Sequence, residues 1–65
     1  MNEEMIGIVI ERRRKVLAIN QQDLAEICGI SVHSLSDIET GRGNPTLNTL
    51  TRLASALGLE LALRI

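Results

Sequence analysis

The sequence predicts an all-α domain of four short helices followed by one strand, and three observations predict it. Apolar residues recur near the helical period in four separate stretches. Residues that suit helix starts and helix ends alternate between those stretches: Asn20, Ser31 and Thr46 open helices, and Gly29, Gly41 and Gly58 close them. The tail, Leu59 to Ile65, then changes to a period of two, with Leu or Ile at every odd position.

Residues 3–17 read as the first helix. Ile6, Ile10 and Leu17, flanked by Val9 and Val16, form its apolar stripe. Arg13 falls inside that stripe, so its stem can cover the core while its head reaches water or a carboxylate. Met5 and Ile8 lie off the stripe and point to a second surface to be covered. Residues 21–28 form the second helix, capped by Asn20, with Asp23 favourable to the helix dipole and Leu24, Ile27 and Cys28 inward. The third helix spans 31–40 from its Ser31 cap, with Leu35 and Ile38 inward. The segment 42–45 is a turn-rich loop. The fourth helix, 46–57, starts at Thr46 and lines up Leu47, Leu50, Leu53, Ala54 and Leu57.

The tail, residues 59–65, reads as a strand with Leu59, Leu61, Leu63 and Ile65 on one face. One strand alone leaves its backbone groups without partners. The simplest partner is the same tail of a second copy, antiparallel across a two-fold axis. The other reading is an extension of the fourth helix, against which Gly58 argues.

Composition narrows the function. A chain of 65 residues holds one small domain. Domains below roughly 70–80 residues usually need disulfides, a metal or oligomerisation. The single cysteine, Cys28, forms no internal disulfide, and one histidine, His33, with one cysteine is too few for a zinc site. A homodimer is the remaining support, and no metal or cofactor is expected. With no aromatic residue, the core must be aliphatic, and stacking platforms for single-stranded nucleic acid are excluded. No apolar run approaches the roughly 20 residues of a membrane span, and no signal peptide is expected, so the chain reads as soluble and cytoplasmic. So small an aliphatic chain has little room for an enzyme's pocket, and Cys28 on an apolar helix side is no nucleophile. Seven basic against eight acidic residues leave a formal charge of −1. Four of the seven stand together as Arg12-Arg13-Arg14-Lys15, so distribution matters more than the total.

Two short helices, 21–28 and 31–40, joined through Gly29-Ile30-Ser31 make a helix-turn-helix pattern. In DNA-binding versions the second helix enters the major groove. A helical wheel sets His33, Ser36, Asp37 and Thr40 opposite Leu35 and Ile38, with Val32 at the flank. Short polar groups can approach base edges closely and hydrogen-bond to them.

The segments Asn20-Gln21-x-x-Leu24-Ala25, Gly29-Ile30-Ser31, Leu35-Ser36-Asp37-Ile38-Glu39-x-Gly41 and Asn44-Pro45-Thr46-Leu47-x-Thr49-Leu50 resemble the Cro/repressor-type (lambda-repressor-like, XRE) helix-turn-helix family. The ending Ala56 to Leu63 is similar to the HipB-like antitoxin branch, whose C-terminal strand pairs across a dimer. The resemblance implies that Gln21 contacts a phosphate and that Ser31, Val32, His33, Ser36 and Asp37 face the groove. It implies that Thr40 and Arg42 contact the DNA backbone and that Arg14 pairs with Glu39, tying the first helix to the reading helix. Three positions depart from the family pattern: Ala18 stands where Gly is usual, Asp37 puts an acid near phosphate, and Val32 can touch only a thymine methyl. Asp37 could instead accept from a cytosine amino group.

The functional expectation is a sequence-specific repressor of double-stranded DNA with a roughly palindromic operator. A HipA-like kinase toxin is a further expected partner if the chain is an antitoxin. The alternative is a protein-interaction module on the same scaffold without DNA binding.

Overall fold

A computed structural model describes residues 1–63. Four helices follow in the expected order: α1 (Glu3–Val16), α2 (Gln21–Cys28), α3 (Val32–Glu39) and α4 (Leu47–Leu57). Each starts at a side-chain cap. Asn2 and Asn20 accept from the backbone N–H of Met5 and Asp23 at 2.9 and 2.8 Å. Ser31 and Thr46 accept from Ser34 and Thr49 at 3.0 and 3.1 Å. Capping requires extended backbone, so Ser31 and Thr46 stand just outside the helices they open.

All four helices also end in one hairpin of backbone bonds. The N–H of Ile19 donates to the carbonyl of Arg14 at 3.1 Å, and Ile30 to Ala25 at 3.0 Å. Arg42 donates to Asp37 at 2.9 Å and Leu59 to Ala54 at 2.8 Å. The residue before each donor is left-handed: Ala18 at φ 58°, Gly29 at 69°, Gly41 at 77° and Gly58 at 69°. This is the Schellman ending, which satisfies the last helical carbonyls. Ala18 adopts it with a Cβ that crowds the backbone.

The core is aliphatic: Ile10, Leu24, Ala25, Cys28, Leu35, Ile38, Leu53 and Leu57 are buried. Ile19, Ile30 and Leu59, the apolar residues that close three of the four hairpins, pack against it. Burial pushes the Cys28 thiol above its ordinary range, which suits a core residue.

Several inward assignments are corrected. Ile27 is 66% exposed and Leu47 71% exposed. Ala25, not Ile27, turns inward on α2, because α2 packs on both α3 and α4 and its buried side is broader than one stripe. On α1 the buried positions are Gly7, Ile10 and Arg14, whereas Val16 is 74% exposed and Val9 and Leu17 are also exposed. A stripe counted from side-chain apolarity misses Gly7, which has no side chain to count. Arg13 is half-buried and meets a carbonyl instead of a carboxylate: its Nε donates to the carbonyl of Leu57 at 2.8 Å, at the end of α4.

Gly7 sets how closely α1 approaches α3. A Cβ there would press on the carbonyl oxygens of Ile38 and Glu39, the second at 2.7 Å. Those are backbone atoms at the end of α3 and have little room to yield.

No strand forms among the described residues. Leu59 lies against the core, while Leu61 and Leu63 are exposed. Ile65, expected on the same face, lies outside the described residues. A lone extended segment has nothing within one chain to pair with, so the expected strand is not formed here. Beside the tail, Ile6, Val9, Ile10, Leu50, Ala54, Leu59 and Leu61 line an apolar groove of about 140 Å³ between α1 and α4. Among the described residues, no helix is long and apolar enough to cross a membrane.

Candidate nucleic-acid interface

The α2–α3 pair is fixed from below by a buried ion pair. Arg14 Nε donates to Glu39 Oε2 at 2.7 Å and Nη2 to Oε1 at 3.0 Å. Nη1 donates to the carbonyl of Ile19 at 3.0 Å. The guanidinium therefore joins the last turn of α3 to the α1–α2 link. Its hydrogen bonds to Glu39 hold the Arg14 pKa above its ordinary range, against the opposing effect of burial. It is Arg14, not Arg13, that meets Glu39.

Gln21 opens α2, and its amide Nε2 donates to Glu39 Oε1 at 2.9 Å. Glu39 thus anchors the first residue of α2 as well as α1. The contact leaves Gln21 a second amide hydrogen for an outside acceptor.

The outer side of α3 carries the other expected residues. Ser31, Val32, His33 and Thr40 are exposed, and Ser36 and Asp37 are half-buried. The hydroxyl of Ser34, which was not singled out in the sequence, is also there, accepting from Ser31 Oγ at 2.9 Å. Thr40 Oγ1 donates to the carbonyl of Ser36 at 2.9 Å and accepts from Arg42 Nε at 3.2 Å. Its hydroxyl is therefore already engaged within the helix end.

Arg42 occupies a telling place. It is the closing residue of the third helical hairpin, where the other three hairpins put Ile19, Ile30 and Leu59. Those three pack on the core, whereas the Arg42 side chain is 71% exposed. A repeated local rule broken at one position is the mark of a residue placed for something other than packing. The hairpin fixes its backbone: the N–H groups of Arg42 and Gly43 both donate to the Asp37 carbonyl, at 2.9 and 3.0 Å.

The acid at Asp37 is flanked by Arg42 and His33. Its Oδ1 lies 3.9 Å from Arg42 Nε and its Oδ2 lies 3.5 Å from His33 Nε2. The remaining basic residues do internal work or lie elsewhere. Arg52 Nη1 donates to the carbonyl of Cys28 at 3.4 Å, and Lys15 lies 3.6 Å from Glu11 on α1. Among the described residues there is no cluster of metal-ligating side chains.

Comparison with known proteins agrees with this geometry. Residues 10–63 match the family model described as helix-turn-helix. The chain is similar to the ImmF control region 10 kDa protein of Bacillus phage phi105, 36% identical over 61 residues, covering 94% of this chain and 68% of that protein. It is also similar to the immunity repressor protein of the same phage, 40% identical over 57 residues. That match covers 88% of this chain and only 40% of the repressor. Its fold superposes on the restriction-modification controller protein C.AhdI from Aeromonas hydrophila with a TM-score of 0.84 at 26% identity, covering 89% and 88% of the two chains. The chain belongs to the helix-turn-helix family.

Proposed function

We propose that this protein is a regulator that binds double-stranded DNA as a homodimer and represses transcription, without enzymatic activity. One observation carries the reading: Arg42 stands, backbone-fixed and exposed, at the end of a helix whose outer side bears short polar groups. The names of its relatives, an immunity repressor and a restriction-modification controller, support the same class. In this reading α3 enters the major groove, with Ser31, Val32, His33, Ser36 and Asp37 toward base edges. Gln21, Thr40 and Arg42 meet phosphates and set its register. A cytoplasmic location follows from that role.

The exposed apolar residues on α1 and the tail support a second copy as partner. Val9 and Leu61 are exposed and line the α1–α4 groove, and Met5, Ile8 and Leu63 are exposed as well. Pairing of the tails would also give the extended backbone after Leu59 a ladder of partners. Two reading helices related by a dyad would then face half-sites about 34–36 Å apart, in a roughly palindromic operator.

Selection of duplexes from a random pool, followed by titration across a salt series, tests the reading. Arg42→Ala should weaken every duplex and lower the salt slope by about one, as loss of one phosphate contact does. Ser36→Ala should change the preferred sequence at one position, by about 1–3 kcal/mol. Parent affinity, slope and preference in both variants would overturn these roles. If the parent enriches no duplex, the protein-interaction reading replaces this one. The narrower antitoxin reading rests on the tail alone; co-purification of a HipA-like kinase with the chain would be its support.

A further inference from the structure

On α3 an imidazole, charged only when protonated, stands next to an acid. His33 Nε2 lies 3.5 Å from Asp37 Oδ2, one turn further along α3, and the imidazole side chain is 88% exposed. Asp37 is the acid that fits a DNA-facing surface worst, since its charge repels phosphate. Arg42, 3.9 Å from its other oxygen, offsets that charge permanently. His33 offsets it only when protonated.

We propose that DNA binding by this protein takes up one proton, at His33, so that the protein grips duplex DNA more tightly as pH falls through neutrality. The proposal rests on the DNA-binding reading above and adds the proton to it. The protonated imidazolium meets the Asp37 carboxylate on one side and the duplex polyanion on the other. The free protein provides only the first of these. An anion favours the charged form of an imidazole, so the complex holds the proton more firmly than the free protein does. The state that binds more protons gains as pH falls, which sets the sign: affinity rises on acidification.

The surroundings leave His33 and Asp37 to each other and to Arg42. Among the described residues, neither makes any other ion pair within 4.0 Å. From α1, Arg14 is committed to Glu39, and Glu4 packs its backbone near Gly41 at the far end of α3. From α2, Asp23 and Glu26 lie on an exposed side with Ile27. From α4, Arg52 reaches the Cys28 carbonyl. The proton therefore has one exposed place on the reading surface to bind. A parent-minus-variant comparison removes the contribution of every other ionisable group.

The test titrates the parent, His33→Asn and His33→Lys with the best duplex from the random pool, between about pH 8 and pH 6, where an imidazole titrates. The parent's Kd should fall by about three- to tenfold across that range, with proton uptake seen as a dependence of the binding heat on the buffer's ionisation enthalpy. His33→Asn should bind with little pH dependence and take up no proton. His33→Lys, a permanent cation, should also be flat, whatever its affinity. A parent whose pH slope equals that of His33→Asn overturns the proposal and leaves DNA binding standing. If the pool yields no bound duplex, the DNA-binding reading falls, and this one with it.

Discussion

Arg14 holds Glu39 through two parallel hydrogen bonds, of 2.7 and 3.0 Å, across the seam between α1 and the end of the reading helix. The same carboxylate takes a third hydrogen bond from Gln21, so three elements meet at one buried acid. The geometry is the bidentate form that gives direction as well as attraction.

Breaking this pair from one side should be severe. Arg14→Met or Glu39→Leu alone strands a buried charge and should destabilise the fold by about 3–5 kcal/mol. The double variant leaves no charge stranded and should lose less than the two singles together. Denaturant unfolding of all four proteins gives the coupling; a value near zero would mean that the pair contributes orientation only.

Ala18→Gly should stabilise the protein. The left-handed conformation costs an L-residue about 1–2 kcal/mol. A glycine's extra freedom in the unfolded chain returns about 0.5–1 kcal/mol of that. A net gain of up to about 1 kcal/mol remains, because the hairpin itself is kept. A melting temperature unchanged or lower in Ala18→Gly would show that the Ala18 turn is not strained.

Gly7→Ala should act in the opposite direction. Alanine is the better helix former by about 1 kcal/mol. The added methyl, however, meets the backbone carbonyls of Ile38 and Glu39, and overpacking of that kind costs about 1–3 kcal/mol or more when backbone must move. The clash should win, and since α3 is the element displaced, DNA affinity should fall along with stability. Chemical denaturation and duplex titration read the two effects separately.

The proposed dimer is best tested by ending the chain after Glu60. Ending it after Gly58 would also delete Leu59, whose N–H closes the α4 hairpin and whose side chain packs on the core. Keeping Leu59 and removing Leu61 and Leu63 takes away apolar side chains worth roughly 1.5–3 kcal/mol each when buried. Sedimentation should find a folded monomer; a dimer of undiminished affinity would place the interface elsewhere.

The helices were legible in the sequence because capping and ending are local. Asn20, Ser31, Thr46 and the three glycines act on backbone within a few residues of themselves. The departure at Ala18 was visible as a residue out of pattern, and the structure gives it a physical meaning in a positive φ. What periodicity misread was the choice of inward face. Ile27 and Leu47 are apolar yet exposed, and Gly7 is buried for lack of a side chain. Burial of that kind depends on which helices lie alongside, which no single helix encodes. The outward polar residues of α3 were legible from their spacing, but the place of Arg42 in a fourfold pattern needed the backbone bonds.

Three of the seven basic side chains, Arg13, Arg14 and Arg52, hydrogen-bond to the scaffold itself, at the Leu57 carbonyl, the Glu39 carboxylate and the Cys28 carbonyl, and of the three Arg14 is buried. They close helix ends and bind the helices together, and the buried, paired charge of Arg14 is not offered to an outside polyanion. A genome presents an enormous excess of unrelated sites that compete for any regulator through phosphate attraction alone. A protein that directs its arginines into its own scaffold is little retained by that background. An arginine held in this way steadies the fold without adding to that background attraction.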